Sequence, residues 1–196
     1  FDSTKLTVPP LLQRGGYHTG MIGKWHLGSD PQGFDSWEIL PGQGVYFDPV
    51  FYTATGQKTY TGRYVTDVTT DLAMEFIKGR PRNKPFFLML HNKAPHRPWE
   101  PDEVHRKQFE NRWIPEPETL SDNYATRTDA LRESLQRVGA DLTRRDLKIA
   151  PPSGLAGADL TAWLAAKPDT VTITRDGRDV TLTGEALSRW KYQRYM

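Results

Sequence analysis

The segment that most constrains the fold is "PFFLMLH", an unbroken apolar run at residues 85–91 that lies between polar or proline-containing stretches. Residues 65–80 precede it and place apolar side chains at helical spacing, with acidic residues early and basic residues late. A strand-length apolar run after an amphipathic helix is typical of a strand buried on both faces of a parallel sheet. The sequence therefore predicts an α/β fold with a mostly parallel sheet and flanking helices.

The residues before this helix predict a second strand and a long loop. Pro9-Pro10, followed by "LLQR" and two glycines, indicates a short helix. Residues 17–23, "YHTGMIG", indicate a strand directly after it. Residues 29–63 are rich in glycine, proline and aromatic side chains and show poor periodicity, so we expect an ordered surface loop there.

The second half of the chain predicts additions to this core. Residues 121–142 read as a polar helix with a thin apolar stripe, and residues 158–167 as a short helix. Asp176-Gly177 lies between two alternating segments and predicts a β-hairpin over 170–183. The predicted organisation is an α/β core segment (1–117), an insertion with helices and the hairpin (118–185) and the start of a core helix (186–196).

Composition excludes several kinds of chemistry within these 196 residues. No cysteine occurs, which rules out disulfides, thiolate metal sites and a cysteine nucleophile. The net charge of +2 gives no general affinity for polyanions, so we expect no nucleic-acid partner. The sequence has no apolar run long enough to predict a membrane span, and its start lacks the pattern of a secretion signal.

Two predicted strands end in basic side chains. Lys24 and His26 follow "GMIG", and Lys93 and His96 follow the apolar run at 85–91. In an open α/β sheet, ligands bind outside the carboxyl ends of the strands. Lysine supplies positive charge for an oxyanion, and histidine gives a proton to a leaving oxygen near neutral pH. The pattern favours an anionic ester over a peptide or a sugar ring as the substrate.

Some of these residues could also be ordinary structural residues with no role in a site. A lysine after a glycine at a strand end is often part of a solvated turn, and His96 could be an ordinary surface-loop residue. The aromatic residues of segment 37–52, together with Trp99, either stack on a sugar or pack among themselves. The aromatic residues of that segment are Trp37, Tyr46, Phe47, Phe51 and Tyr52.

Four segments resemble one known family. "GYHTGMIGKWHLG" (16–28) resembles a signature of the type I, formylglycine-dependent sulfatases of the alkaline-phosphatase-like superfamily, and "KPFFLMLHNKAPHRPWEP" (84–101) is similar to a second conserved strand and loop of that family. Residues 33–49 and 189–196 are similar to bacterial carbohydrate sulfatases of the N-acetylglucosamine-6-sulfatase and heparan sulfatase type. The resemblance implies an alkaline-phosphatase-like sandwich, of which this chain would be an internal fragment.

The resemblance also implies roles for individual residues. Lys24 would contact the sulfate and the geminal-diol nucleophile, and His26 would hydrogen-bond that diol. His96 would be the general acid for the departing sugar alcohol. We further predict that three residues of the same loop, Lys93, Arg97 and Trp99, bind the substrate.

Family members use a formylglycine nucleophile and a calcium ion, and the sequence departs from the family in both respects. It contains no Cys-x-Pro-x-Arg or Ser-x-Pro-x-Arg motif and none of the acidic pairs that hold the metal. We therefore expect the nucleophile and the Ca²⁺ ligands to lie outside this chain, and no metal ligand within it. By itself, the chain is expected to carry one side of the site and to be inactive.

The predicted activity of the parent protein is hydrolysis of a sulfuric ester on a sulfated carbohydrate of the glycosaminoglycan type. The alternatives are a phosphoesterase or phosphonate hydrolase of the same superfamily, and a catalytically inactive chain. By family analogy the location would be periplasmic or extracellular.

Overall fold

The structure is a computed structural model and describes Asp2 and residues 4–196. The chain forms two compact units, one ending at Asp102 and the other running from Glu103 to Met196. The predicted division at residues 117 and 118 concerns the core and insertion of a larger fold, and it stays a prediction.

The first unit contains a five-stranded sheet together with helices. Its elements are α1 (Val8–Arg14), β1 (His18–Trp25), β2 (Ser36–Pro41), β3 (Val50–Thr53), β4 (Gly56–Thr59), α2 (Val65–Gly79) and β5 (Phe86–His91). The strands stand in the order β4-β3-β2-β1-β5, with β1 parallel to both β2 and β5, while β3 and β4 continue the sheet in antiparallel pairing.

The predicted helix at 65–80 and the predicted strands at 17–23 and 85–91 are confirmed as α2, β1 and β5. The short helix after Pro9-Pro10 is confirmed as α1, with proline in its first turn. One face of α2 is buried with side chains from the sheet. The buried apolar residues of this core are Ile22, Leu40, Tyr46, Phe51, Val65, Val68, Leu72 and Ala73.

Two glycines allow β1 to pack closely on helix α2 and on strand β5. A Cβ on Gly20 would lie 2.5 Å from the ring of Phe76 on α2. Gly23 has φ +103°, and a Cβ there would collide with the carbonyl group of His91 on β5. Position 23 therefore needs glycine both for its backbone conformation and for the close approach of the neighbouring strand.

Two expectations about this unit are wrong. Residues 29–63 are not a surface loop, because they contain β2, β3 and β4 and contribute the fully buried Phe51. Strands of four to six residues are too short to show a clear period between glycine-rich turns. The segment at 85–91 is not buried on both faces: β5 is an edge strand of the described sheet, and Phe86 and Leu90 are exposed.

The second unit consists of short helices, one β-hairpin and one longer helix. Its elements are α3 (Glu103–Arg106), a 3₁₀ turn (Glu118–Ser121), α4 (Asp129–Arg132), α5 (Val138–Asp141), α6 (Gly157–Ala165), β6 (Val171–Arg175), β7 (Arg178–Leu182) and α7 (Gly184–Tyr195).

The hairpin predicted over 170–183 is confirmed by the antiparallel pair β6 and β7. Asp176 and Gly177 both have positive φ, as a tight hairpin turn of this kind requires. The helix predicted at 158–167 is confirmed as α6. The long helix predicted at 121–142 is wrong, because that segment contains only short turns of helix and its apolar residues Leu131 and Leu135 are exposed.

Buried charged side chains hold the second unit together. Asp141 is 4% exposed and accepts hydrogen bonds from Lys167 Nζ at 2.8 Å and from the backbone N–H of Arg137 at 2.9 Å. Lys191 on α7 is also buried and donates to the carbonyl oxygen of Gly139 at 2.7 Å. These bonds satisfy charged groups that would otherwise be costly to bury. Across the described residues, none of the helices is both long and apolar enough to cross a membrane.

Candidate active site

The candidate site lies where two neighbouring strands end. β1 and β5 are parallel and paired up to Gly23 and His91, so their carboxyl ends meet at one edge of the sheet. Lys24 is the second-last residue of β1, and Lys93 is the second residue after the end of β5. The strand extends two residues further than the predicted 17–23 and carries Lys24 within the sheet.

Both lysines reach the same oxygen atom. Lys24 Nζ donates to the carbonyl oxygen of Gln43 at 3.2 Å and to its side-chain Oε1 at 3.0 Å. Lys93 Nζ donates to the same carbonyl oxygen at 2.9 Å. One ammonium group from β1 and one from the segment after β5 therefore converge on one acceptor, which is the geometry that an oxygen of an anion would use.

Gln43 is held at this point by a glycine turn after β2. Gly42 and Gly44 have φ of +58° and +64°, a conformation that favours glycine. The N–H of Gly42 donates to the carbonyl oxygen of Trp25 at 3.0 Å, which ties the turn to the end of β1. A Cβ on Gly44 would collide with the side chain of Leu40. The turn therefore places the Gln43 carbonyl between the two lysines.

Lys93 is almost fully buried against an aromatic ring. It is 4% exposed, and its Nζ lies 4.6 Å from the ring centroid of Tyr46. Tyr46 is itself buried, and its hydroxyl donates to the carbonyl oxygen of His96. Burial raises the pKa of Tyr46 to about 12, with smaller contributions from Tyr64 and Glu100, so its phenol remains a hydrogen-bond donor at neutral pH.

His96 is exposed, and the backbone orients it. Its N–H donates to the carbonyl oxygen of Lys93 at 2.8 Å, which closes a turn after β5. Its ring Nδ1 lies 2.6 Å from the carbonyl oxygen of Arg97. With a proton on Nδ1, that bond fixes the ring and leaves Nε2 to exchange a proton with a ligand. In the same turn, the guanidinium of Arg97 lies 5.7 Å from the ring centroid of Trp99.

His26 is exposed and lines a mainly apolar cavity of about 320 Å³. Lys24 and His91 line the same cavity, and His91 Nδ1 lies 3.3 Å from the carbonyl oxygen of Lys24. Burial lowers the pKa of Lys24. The contacts of the described residues join Lys24, Lys93 and His96 through Gln43 and Tyr46, but they do not include His26 in that network.

The described residues fit neither a calcium ion nor a formylglycine nucleophile. In the part of the chain that the structure describes, no group of three or more His, Cys, Asp or Glu side chains is placed to hold a metal ion. The sequence contains neither a Cys-x-Pro-x-Arg nor a Ser-x-Pro-x-Arg motif for a formylglycine precursor.

Sequence reasoning missed the two residues that connect the site. Gln43 acts partly through its carbonyl oxygen, which no residue pattern reveals, and only the flanking glycines in "GQG" mark the turn. Tyr46 and Phe51 were two of the aromatic residues proposed either to stack on a sugar or to pack among themselves. Both are buried in the core. Phe47 and Tyr52 remain exposed.

The fold and site define an α/β protein in which cationic side chains converge on one point at the carboxyl edge of a sheet. The sulfatase family model matches residues 2–148. The chain therefore belongs to the sulfatase family, as the signature at 16–28 predicted.

Individual relatives agree with this assignment. The chain is 41% identical to the N-acetylglucosamine-6-O-sulfatase of Bacteroides thetaiotaomicron, over 100% of this chain and 38% of that protein. It is 28% identical to the human N-acetylglucosamine-6-sulfatase, over 56% of this chain and 22% of that protein. The chain thus spans well under half the length of these relatives.

A solved structure shares the fold. The structure of BT4656 in complex with its substrate D-glucosamine-2-N,6-O-disulfate matches with a TM-score of 0.81 and 38% identity, covering 100% of this chain and 42% of that one. This match confirms the predicted mixed α/β fold with a mostly parallel central sheet.

Proposed function

We propose that the full-length protein hydrolyses sulfate esters on a sulfated sugar of the glycosaminoglycan type. The observation that carries the proposal is the convergence of Lys24 and Lys93 on one oxygen position at the strand ends. Positive charge held in place before reaction stabilises the negative charge that develops on the transferring group. Membership of the sulfatase family supports the sulfate ester as that group.

We assign the following roles to the site residues. Lys24 and Lys93 bind the sulfate oxygens in place of the Gln43 carbonyl. His96 gives a proton to the departing sugar oxygen, with its ring oriented through the carbonyl of Arg97. His26, at the cavity that it shares with Lys24, hydrogen-bonds the attacking group.

Arg97 and Trp99 are proposed to bind the sugar. They lie beside His96 on one turn, and the Trp99 side chain is half-buried beneath the guanidinium. An aromatic ring and a planar cation offer a stacking surface and hydrogen-bond donors to a sulfated sugar. The relatives named above act on N-acetylglucosamine 6-sulfate groups, so 6-O-sulfated glucosamine is the first substrate to test.

The remaining groups belong to the full-length protein. We propose that its calcium ligands and the precursor of a formylglycine nucleophile are carried by residues outside these 196, because neither group fits on those described. Calcium would polarise the sulfate group when bound. We propose a periplasmic or extracellular location by analogy with the sulfatase family.

Paired substrates test this proposal. The full-length protein is assayed on glucosamine 6-sulfate, and on an aryl sulfate beside the matching aryl phosphate. We expect turnover of both sulfates and a much slower rate on the phosphate. Faster hydrolysis of the phosphate would instead assign the protein to phosphoesterase chemistry, and absence of turnover on every ester would support the inactive alternative.

The variant Lys24→Ala separates this site from a contaminating enzyme. It should lower kcat/KM on the aryl sulfate by about 10²-fold or more, the typical cost of removing a preorganised charge donor. Lys58→Ala is the matched control, because Lys58 lies on the exposed strand β4. Unchanged turnover in Lys24→Ala would remove Lys24 from the proposed mechanism.

A further inference from the structure

Tyr46 touches both the anion-binding and the proton-donating parts of the site. Its ring lies 4.6 Å from Lys93 Nζ, and its hydroxyl donates to the carbonyl oxygen of His96. One contact is made by the face of the ring and the other by the hydroxyl of the same rigid side chain. A shift of the ring would therefore move both functional residues together.

The core fixes Tyr46 in turn. Its side chain is 2% exposed and belongs to the buried cluster beneath α2. Its carbonyl oxygen accepts a hydrogen bond from the N–H of Val65 at 2.8 Å, at the beginning of that helix. Its ring also stacks on Tyr64, with the centroids 6.0 Å apart. Tyr46 is thus an element of the rigid core that reaches the strand ends.

Two backbone hydrogen bonds in the loop after β5 involve His96. The N–H of His96 donates to the carbonyl oxygen of Lys93, and the N–H of Trp99 donates to the carbonyl oxygen of His96 at 3.2 Å. The His96 carbonyl therefore accepts from Trp99 inside the loop and from Tyr46 in the core. The Tyr46 hydroxyl connects the loop that bears His96 to the folded core.

We propose that Tyr46 is a positioning residue that holds His96 and Lys93 in register, so that proton donation and sulfate binding occur at one place. The inference rests on the proposed sulfatase function. It assigns separate tasks to the two ends of the side chain: the hydroxyl positions His96, and the ring positions the Lys93 ammonium.

Two substitutions separate these tasks. Tyr46→Phe keeps the ring and removes the hydroxyl, so it should lower kcat on glucosamine 6-sulfate about tenfold while KM stays within twofold. Its rate on an aryl sulfate should change little, because a phenolate leaves without much protonation. Tyr46→Leu also removes the ring and should raise KM on both substrates.

Tyr60→Phe is the matched control. Tyr60 is half-buried in the same unit and donates its hydroxyl to Glu38 Oε2 at 3.0 Å, away from the strand-end loop. The Tyr60→Phe variant loses a comparable hydrogen bond and should keep the wild-type ratio of rates on the two substrates. A fall of the same factor on both substrates in Tyr46→Phe would show a purely structural role and would overturn the proposal.

A measurement without turnover keeps the two proposals distinguishable. In the full-length protein with ¹³C-labelled histidine, the His96 ring resonance is assigned by its loss in His96→Gln. We expect it to move in Tyr46→Phe and to stay in place in Tyr60→Phe. An unmoved resonance overturns the positioning role even if the wild type hydrolyses sulfate esters, whereas a moved resonance in a protein without turnover supports positioning and rejects the sulfatase function.

Discussion

Lys24 and Lys93 donate hydrogen bonds to the same backbone oxygen, although Lys24 lies in β1 and Lys93 lies in the segment after β5. Two ammonium groups that point at one place would repel each other without an acceptor between them. The Gln43 carbonyl supplies that acceptor and keeps both side chains aimed at one point. An anion oxygen that displaces it would meet two charged donors already in position.

Gln43→Glu should weaken the binding of anions. A carboxylate at the position of Gln43 Oε1 would pair with Lys24 and compete with the substrate for the lysine charge. We expect KM for a sulfate ester to rise about tenfold, equivalent to about 1.4 kcal/mol, with a smaller change in kcat. Steady-state kinetics measure this, and Gln57→Glu on the exposed strand β4 is the matched control. An equal rise in KM in both variants would contradict the local explanation.

His96→Gln should separate substrates by their leaving groups. A glutamine keeps a polar side chain of similar size but cannot donate a proton as an acid. We expect kcat on a sugar sulfate to fall about 10²-fold or more, the usual contribution of general acid catalysis, and kcat on an aryl sulfate to fall far less. Parallel assays on the two substrates check this, and equal losses would assign His96 to binding instead.

Gly23→Ala should destabilise the first unit. A methyl group at this position collides with the His91 carbonyl, and φ +103° is strained for any residue with a Cβ. We expect the free energy of unfolding to fall by at least about 2 kcal/mol, seen as a lower urea midpoint. Gly79→Ala is the control, because nothing lies within 4 Å of its added Cβ. Equal midpoints for the two variants would contradict the close approach of β1 and β5.

Asp141→Asn should remove stability that depends on pH. Burial alone would raise the pKa of Asp141, but the hydrogen bonds from Lys167 and from Arg137 outweigh it and hold the pKa below its usual range. A carboxyl with a lowered pKa in the folded state stabilises above its unfolded pKa, and that contribution is lost as the pH falls through the folded value.

The variant should therefore lower the free energy of unfolding by about 1–3 kcal/mol at pH 7, and the difference from wild type should shrink below about pH 4. Urea unfolding across this pH range measures the effect. Asp129→Asn is the control, since its partner Arg132 and Asp129 itself are exposed. A difference that stays constant down to pH 3 would mean that the Asp141 charge is not the cause.

The sequence predicted the parts of the fold that have long, regular patterns. The helical spacing in 65–80 and the apolar run at 85–91 were sufficient to locate α2 and β5. β2, β3 and β4 could not be predicted, because short strands acquire their pattern of burial only through pairing with β1 and packing on α2. Phe51 is buried for the same reason, inside a segment that reads as a loop.

The candidate site was predictable where it follows from strand topology. The rule that ligands bind at the carboxyl ends of parallel strands was sufficient to bring Lys24 and Lys93 together. The acceptor between them was not predictable, because it is a main-chain atom whose position depends on the glycine turn after β2. The roles of all six predicted site residues stay predictions: Lys24, His26, Lys93, His96, Arg97 and Trp99.

The hairpin formed by β6 and β7 has a practical consequence for work with this protein. Most of its side chains are exposed, and its turn at Asp176-Gly177 is a tight reversal at the tip of the two strands. Exposed loop tips tolerate added residues better than buried segments do. A short affinity tag or fluorescent-label sequence inserted between Asp176 and Gly177 would thus provide an internal handle for purification or imaging.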